Sequence, residues 1–93
     1  MTTLAGQIAQ RIHALRFEDV SRPALDWATS AFVDTVGVTL AGIVEEGPRI
    51  LLHVPGIATA PGLALIHGTG LRTSVLDAVL VNGTAAPALD YDD

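Results

Sequence analysis

Residues 75–93, VLDAVLVNGTAAPALDYDD, decide the fold of this chain. The stretch predicts an almost wholly apolar helix that passes through Asn82 and Gly83 and then runs into three carboxylates, Asp90, Asp92 and Asp93. A helix with apolar residues around most of its circumference is typical of a buried helix. The pattern therefore predicts a buried helix whose end delivers carboxylates to a pocket.

Both ends of this helix carry boundary signals. Thr73 or Ser74 can cap its start, and Asp77, three residues after Ser74, fits a capping box built with aspartate. Pro87 removes a backbone donor, and its ring clashes with the carbonyl group of Gly83 if the helix continues. The helix is therefore predicted near 74–86, with a kink or break near 83–87.

Three further helices are predicted upstream, near 3–16, 22–41 and 46–53. The first is amphipathic, with apolar residues at helical spacing: Leu4, Ile8, Ile12 and Leu15. The second shows only a narrow polar stripe, which predicts a central helix with neighbours on several sides. In it, Gly37 suggests close approach by another helix, and Gly42 suits a left-handed C-terminal cap. Asp34 is its one candidate functional acid, although a structural carboxylate is the favoured interpretation.

Between the third and fourth helices the chain is rich in proline and glycine. The apolar run at 63–66 fits either a short strand or buried coil. The following residues 67–70, HGTG, could cradle an anion, but turn chemistry is the favoured interpretation. The fold class is therefore all-α, as the N-terminal part of a helical-bundle domain with about four helices and a possible short strand near 63–66. One domain is expected to span 1–93.

The composition is unusually apolar for a chain of this size. Of its 93 residues, 49% are hydrophobic and only 16% are charged, which is less charge than a typical soluble domain carries. A compact, sticky helical protein would account for this. A chain with faces meant for missing partners accounts for it better, because small soluble domains rarely expose large apolar patches.

Charge and cysteine content exclude several functions. The net charge is −5 and no lysine is present, so nucleic-acid binding, binding to anionic membranes and Schiff-base chemistry are not expected. The absence of cysteine excludes a disulfide, a thiolate nucleophile and a cysteine-ligated zinc site. The N-terminus lacks the pattern of a signal peptide, and the uncharged run 50–71 is broken by prolines, so a cytoplasmic protein without a membrane span is expected.

Four segments resemble the MmgE/PrpD family, which includes 2-methylcitrate dehydratase and cis-aconitate decarboxylase. They are LRFEDV (15–20), DTVGVTLAG (34–42), HGTGLRTSVLDAVLVNGTAA (67–86) and ALDYDD (88–93). The resemblance covers nearly the whole chain from Leu4 onward and corresponds to the N-terminal portion of the family only. It implies a large helical domain, a smaller α+β domain and a homodimer in the whole protein.

The resemblance also implies a chemistry, namely elimination of water or decarboxylation on a tricarboxylate substrate without a cofactor or metal. The acid that opens the DYDD string belongs to the family's active site, and here it is Asp90; Asp93 also matches the motif. A general acid/base histidine, a lysine and a tyrosine would lie downstream of residue 93. One position departs from the family, which commonly has histidine in place of Pro87. Proline neither donates nor titrates, and it bends the segment that aims Asp90.

Three functional hypotheses follow. The first is the N-terminal segment of a 2-methylcitrate dehydratase-like lyase that is inactive alone, since several aspartates would repel a tricarboxylate unless cations compensate and Arg72 is the nearest cation in sequence. The second is a free-standing helical interaction or dimerisation module that self-associates through apolar faces. The third is a divalent-metal site at Asp90, Asp92 and Asp93, against which an acidic chain end without a ligand is favoured.

Overall fold

The computed structural model describes residues 3–90, and in this range the chain is mostly helical. The elements in chain order are α1 (Leu4–Ala14), a 3-10 turn (Phe17–Asp19), α2 (Arg22–Gly42), α3 (Glu46–Leu52), β1 (Ala64–Leu65), β2 (Arg72–Thr73) and α4 (Val75–Ala85). The predicted helices and the strand near 63–66 are confirmed. The second strand, β2, was not predicted.

The chain divides into two compact units, residues 1–30 and 31–93, with the boundary inside α2. In the first unit, the Thr3 hydroxyl caps α1 by accepting from the Gly6 N–H at 3.0 Å. The Ser21 hydroxyl accepts from the Ala24 N–H at 3.3 Å and caps the start of α2. No residue of α1 is buried, so its apolar stripe faces solvent.

The second unit holds the core of the molecule. Its α3 packs against α4, and both strands also contact α4. The buried hydrophobic side chains are Ile43, Ile66, Ala78, Val81 and Ala85. Partly buried side chains of α3, of the loop after it and of β1 pack around this cluster. The core is therefore one layer of α3 and the strands laid against one face of α4.

The two strands form a short antiparallel hairpin in the second unit. Ala64 pairs with Thr73 and Leu65 with Arg72. The Ile66 N–H donates to the Leu71 carbonyl at 3.0 Å and closes the loop between them. Within that loop Gly68 has φ +81°, a left-handed conformation that glycine adopts without steric cost. The turn interpretation of residues 67–70 fits this geometry.

Two glycines of α2 have roles other than those predicted. Gly42 is not a left-handed cap; it is the buried last residue of the helix, where a Cβ atom would overlap the Ala85 carbonyl oxygen. Gly37 is not a point of close helix approach, because outside its own helical turns no atom of the described residues lies within 4 Å of the position a Cβ would take. A close contact was therefore correctly predicted for α2, but it was assigned to Gly37, whereas the contact is at Gly42.

The predicted burial of α2 and α4 is also wrong for this chain. In α4 only Ala78, Val81 and Ala85 are buried, while Leu76 is 83% and Val79 64% exposed. In α2 only Thr39 and Gly42 are buried. The physical reason for α4 is that α3, the hairpin, the loop before it and the end of α2 pack against the side that holds Ala85, while Leu76 and Val79 stay exposed.

Among the described residues, no single helix is long and apolar enough to cross a membrane. The helices α2 and α3 meet that criterion only as a pair, by length and composition, and the pair is bent by 73° at the break between them.

Candidate functional site

The predicted site residue Asp90 follows a turn that ends α4. The helix stops at Ala85, as the break expected before Pro87 requires, and the turn occupies residues 86–89. The Ala88 N–H donates to the Ala85 carbonyl at 3.1 Å, and the Asp90 N–H donates to the Pro87 carbonyl at 2.9 Å. Proline thus fits this structure because it stands in the turn, where no helical N–H is needed.

The backbone of Asp90 is left-handed, with φ +57°. Aspartate adopts this conformation more readily than most residues, because its short polar side chain bonds locally. The side chain is exposed. Asp92 and Asp93 lie outside the described residues, so the structure gives no position for the second predicted site residue or for the predicted acidic cluster.

Concave surface lies elsewhere in the chain. An open groove of about 820 Å³ runs along α3 and the residues after it, and its lining is Glu46, Arg49, Ile50, His53, Val54 and Pro55. Asp90 is not part of that lining, so the described residues do not bring Asp90 and this groove together. The pocket expected at the end of α4 stays a prediction.

Asn82 is a key residue that the sequence interpretation missed. Its Nδ2 donates to the Leu65 carbonyl at 3.0 Å, and its Oδ1 accepts from the His67 N–H at 2.9 Å. One side chain therefore satisfies the acceptor and the donor that β1 and its loop present to α4. The signal was available, because Asn82 is a polar residue on an otherwise apolar stretch of helix and needs partners if it faces neighbouring chain.

The predicted capping box at the start of α4 is half correct. The Ser74 hydroxyl accepts from the Asp77 N–H at 3.2 Å, as a cap should. The Asp77 carboxylate does not return to the Ser74 backbone; it accepts from the Ala58 N–H at 3.1 Å. Ala58 itself has φ +59°. Asp77 thus binds a loop with a strained backbone to α4 instead of completing the capping box with the Ser74 N–H.

Arg72 and His53 serve local structure. An Arg72 guanidinium nitrogen donates to the Leu63 carbonyl at 2.9 Å and so braces the chain beside the hairpin. The His53 Nδ1 lies 2.6 Å from the Arg49 carbonyl, which can only accept, so this nitrogen carries the proton. Asp34 is exposed on α2. Residues 3–90 contain no group of three or more side chains that could hold a metal ion.

Comparison with known proteins gives one match. The family model described as the MmgE/PrpD N-terminal domain matches residues 6–93. This range includes all four segments that carry the resemblance, and it includes Asp90. No curated protein and no solved structure matches the chain.

Proposed function

The chain belongs to the MmgE/PrpD family, and from that premise we propose that it is the N-terminal segment of a cofactor-independent lyase that resembles 2-methylcitrate dehydratase and acts on tricarboxylic acids. The observation that carries the proposal is the match over residues 6–93. It covers the turn and Asp90 together with the helix that places them.

The chemistry requires more groups than this chain supplies. Elimination beside a carboxylate needs a base, an acid and cationic groups that hold the carboxylates of the substrate. Asp90 is exposed and can act on a substrate that approaches the turn. The five cations of the chain are all arginines, and Arg72, the nearest in sequence, is bonded to Leu63. We therefore propose that the acid/base histidine and the substrate-binding lysine lie downstream, and that the chain is inactive alone.

The exposed side of α4 supports the same proposal. We call Val75, Leu76, Val79 and Leu80 the open face of α4; all four are between 45% and 83% exposed. This face lies on the helix that leads directly into the turn before Asp90. Covering it with further chain would remove apolar surface from water at roughly 25 cal/mol per Å².

The test is an assay of the chain with and without the downstream part of an MmgE/PrpD lyase produced separately. We expect no turnover of 2-methylcitrate or cis-aconitate by the chain alone, and turnover when the two parts are mixed. Asp90→Asn should abolish that turnover, whereas Glu18→Gln, which changes an exposed acid of the first unit, should preserve it. Turnover by the isolated chain would contradict the claim of inactivity, and full activity of Asp90→Asn would contradict the role of Asp90.

A second function is favoured by α1. The apolar residues of its stripe, Leu4, Ile8, Ile12 and Leu15, are all more than half exposed, as expected of a helix that pairs with a partner. Under this alternative the chain is a helical interaction module that self-associates without catalysis. Size-exclusion chromatography with light scattering should then show one defined oligomer, and mixing with the downstream part should produce no turnover. A well-behaved monomer that unfolds cooperatively argues against both functions.

A further inference from the structure

We propose that Gly42 is a positioning residue for Asp90. The absence of a side chain at Gly42 lets the end of α4 and the turn 86–89 rest directly on the end of α2, and this contact fixes where the carboxylate stands. The inference rests on the proposed function, because the position of Asp90 matters for turnover only if Asp90 takes part in catalysis.

The contact is between backbones and leaves no space. Gly42 is buried at the last position of α2. A Cβ atom on it would overlap the Ala85 carbonyl oxygen, and it would lie 3.0 Å from the Ala85 carbonyl carbon and 3.2 Å from the Ala88 Cβ. Neither neighbour is the tip of a flexible side chain. Alanine at this position therefore forces the backbone of α2 or of the turn to move.

The residue next to Gly42 packs against the hairpin loop. Ile43 is buried. Its Cγ2 lies 2.8 Å from the position that a Cβ of Gly68 would take. The end of α2 therefore contacts the loop through Ile43 and the turn through Gly42, so a movement of α2 in place of the turn would disturb the buried Ile43.

The turn transmits the movement to Asp90. Hydrogen bonds join Ala88 to Ala85 and Asp90 to Pro87, so the segment 85–90 moves as one piece. Displacing Ala85 and Ala88 then displaces the left-handed backbone that aims the carboxylate. A reacting group misplaced by about 1 Å can cost about 100-fold in rate. The expected signature is a lower kcat with little change in KM.

Gly37 supplies a matched control in the same helix. It precedes Gly42 by five residues, and outside its own helical turns no atom of the described residues lies within 4 Å of where its Cβ would stand. Gly37→Ala and Gly42→Ala make the same chemical change in α2, and both gain helix propensity. Only the new Cβ of Gly42→Ala would clash with the turn. The difference in kcat between the two variants therefore measures the effect of this contact.

The experiment measures kcat and KM of Gly42→Ala, Gly37→Ala and Asp90→Asn in the mixture of this chain with the downstream part. We expect Gly42→Ala to lower kcat by about 10- to 100-fold at an unchanged KM and helix content, and Gly37→Ala to match the wild type. Loss of activity in Asp90→Asn combined with equal kcat of the two glycine variants would overturn the inference. Activity retained by Asp90→Asn would instead overturn the proposed function.

A second variant covers the case in which Gly42→Ala does not fold. Ala88→Gly removes the Cβ that lies beside Gly42 and leaves the Ala85 carbonyl in place, and Ala88 is exposed, so the core stays intact. It should also lower kcat without raising KM, because the turn then rests less firmly on Gly42. A folded Ala88→Gly variant with the kcat of the wild type would count against the positioning role.

Discussion

Replacing Asn82 by alanine should lower the free energy of unfolding of the second unit by about 2–3 kcal/mol. The change removes the hydrogen bonds to the Leu65 carbonyl at 3.0 Å and from the His67 N–H at 2.9 Å. A polar group left unpaired in a buried place costs about 1–3 kcal/mol, and both residues are half-buried. At roughly 1.5 kcal/mol for each half-buried group, the two losses sum to roughly 3 kcal/mol, from which the higher helix propensity of alanine subtracts about 0.5 kcal/mol.

Urea unfolding followed by far-ultraviolet circular dichroism measures this loss. The control is Gly83→Ala at the next position of α4, where no atom of the described residues outside the adjoining helical turns lies within 4 Å of the new Cβ. That variant should gain up to about 1 kcal/mol, so neighbouring positions should give changes of opposite sign. Asn82→Asp should fall between, since it can still accept from the His67 N–H but cannot donate to Leu65. Wild-type stability of Asn82→Ala would refute the bridging role of the amide.

The other predictions use the same unfolding assay. Ala58→Gly should raise the free energy of unfolding by about 0.5–1 kcal/mol, because Ala58 stands at φ +59° and a left-handed backbone costs a residue with a Cβ about 1–2 kcal/mol; no gain would show that the loop is relaxed. Gly62→Ala should lower it by about 1–3 kcal/mol, because its Cβ would overlap the Thr73 carbonyl oxygen, while Gly70→Ala, with open space around it, should not show this loss. Val81→Ala should cost about 2 kcal/mol, since Val81 is fully buried; a neutral result would place the core elsewhere.

The helices were predictable because each carries local signals that do not depend on tertiary contacts. Ser21 and Ser74 cap two of them, and both bonds are present. Pro87 forbids continuation of α4, and the helix ends before it. The two-residue strand β2 was not predictable in this way, because it is too short for an alternating pattern and exists by pairing with β1.

Burial was less predictable than secondary structure. Apolar residues around a whole helix show that the helix can be buried on all sides. They do not show whether this chain contains the elements that would bury it. Leu76 and Val79 on α4 are apolar and yet exposed. Which glycine of α2 meets a neighbour depends on where the turn after α4 passes, and that is a tertiary fact. Gly42 and Gly37 look alike in sequence for this reason.

The candidate site was predictable only through its motif. Asp90 was singled out because it opens the DYDD string, and its left-handed backbone has no signature in a single sequence. The roles of Asn82 and Asp77 depend on partners 15 to 19 residues away in the chain. Such pairings follow from how the hairpin folds back onto α4, which periodicity does not reveal.

The hairpin held by Asn82 has a consequence for the order in which this chain folds. A lone two-stranded ribbon is marginally stable at best in water, and this one pairs only two residues on each side. The hairpin can therefore persist only after α4 has formed, because the Asn82 side chain of α4 then binds it. The His67 N–H should accordingly exchange with solvent deuterium at least as fast as α4 opens. The hairpin and α4 should then gain and lose protection from hydrogen exchange together, as one cooperative unit.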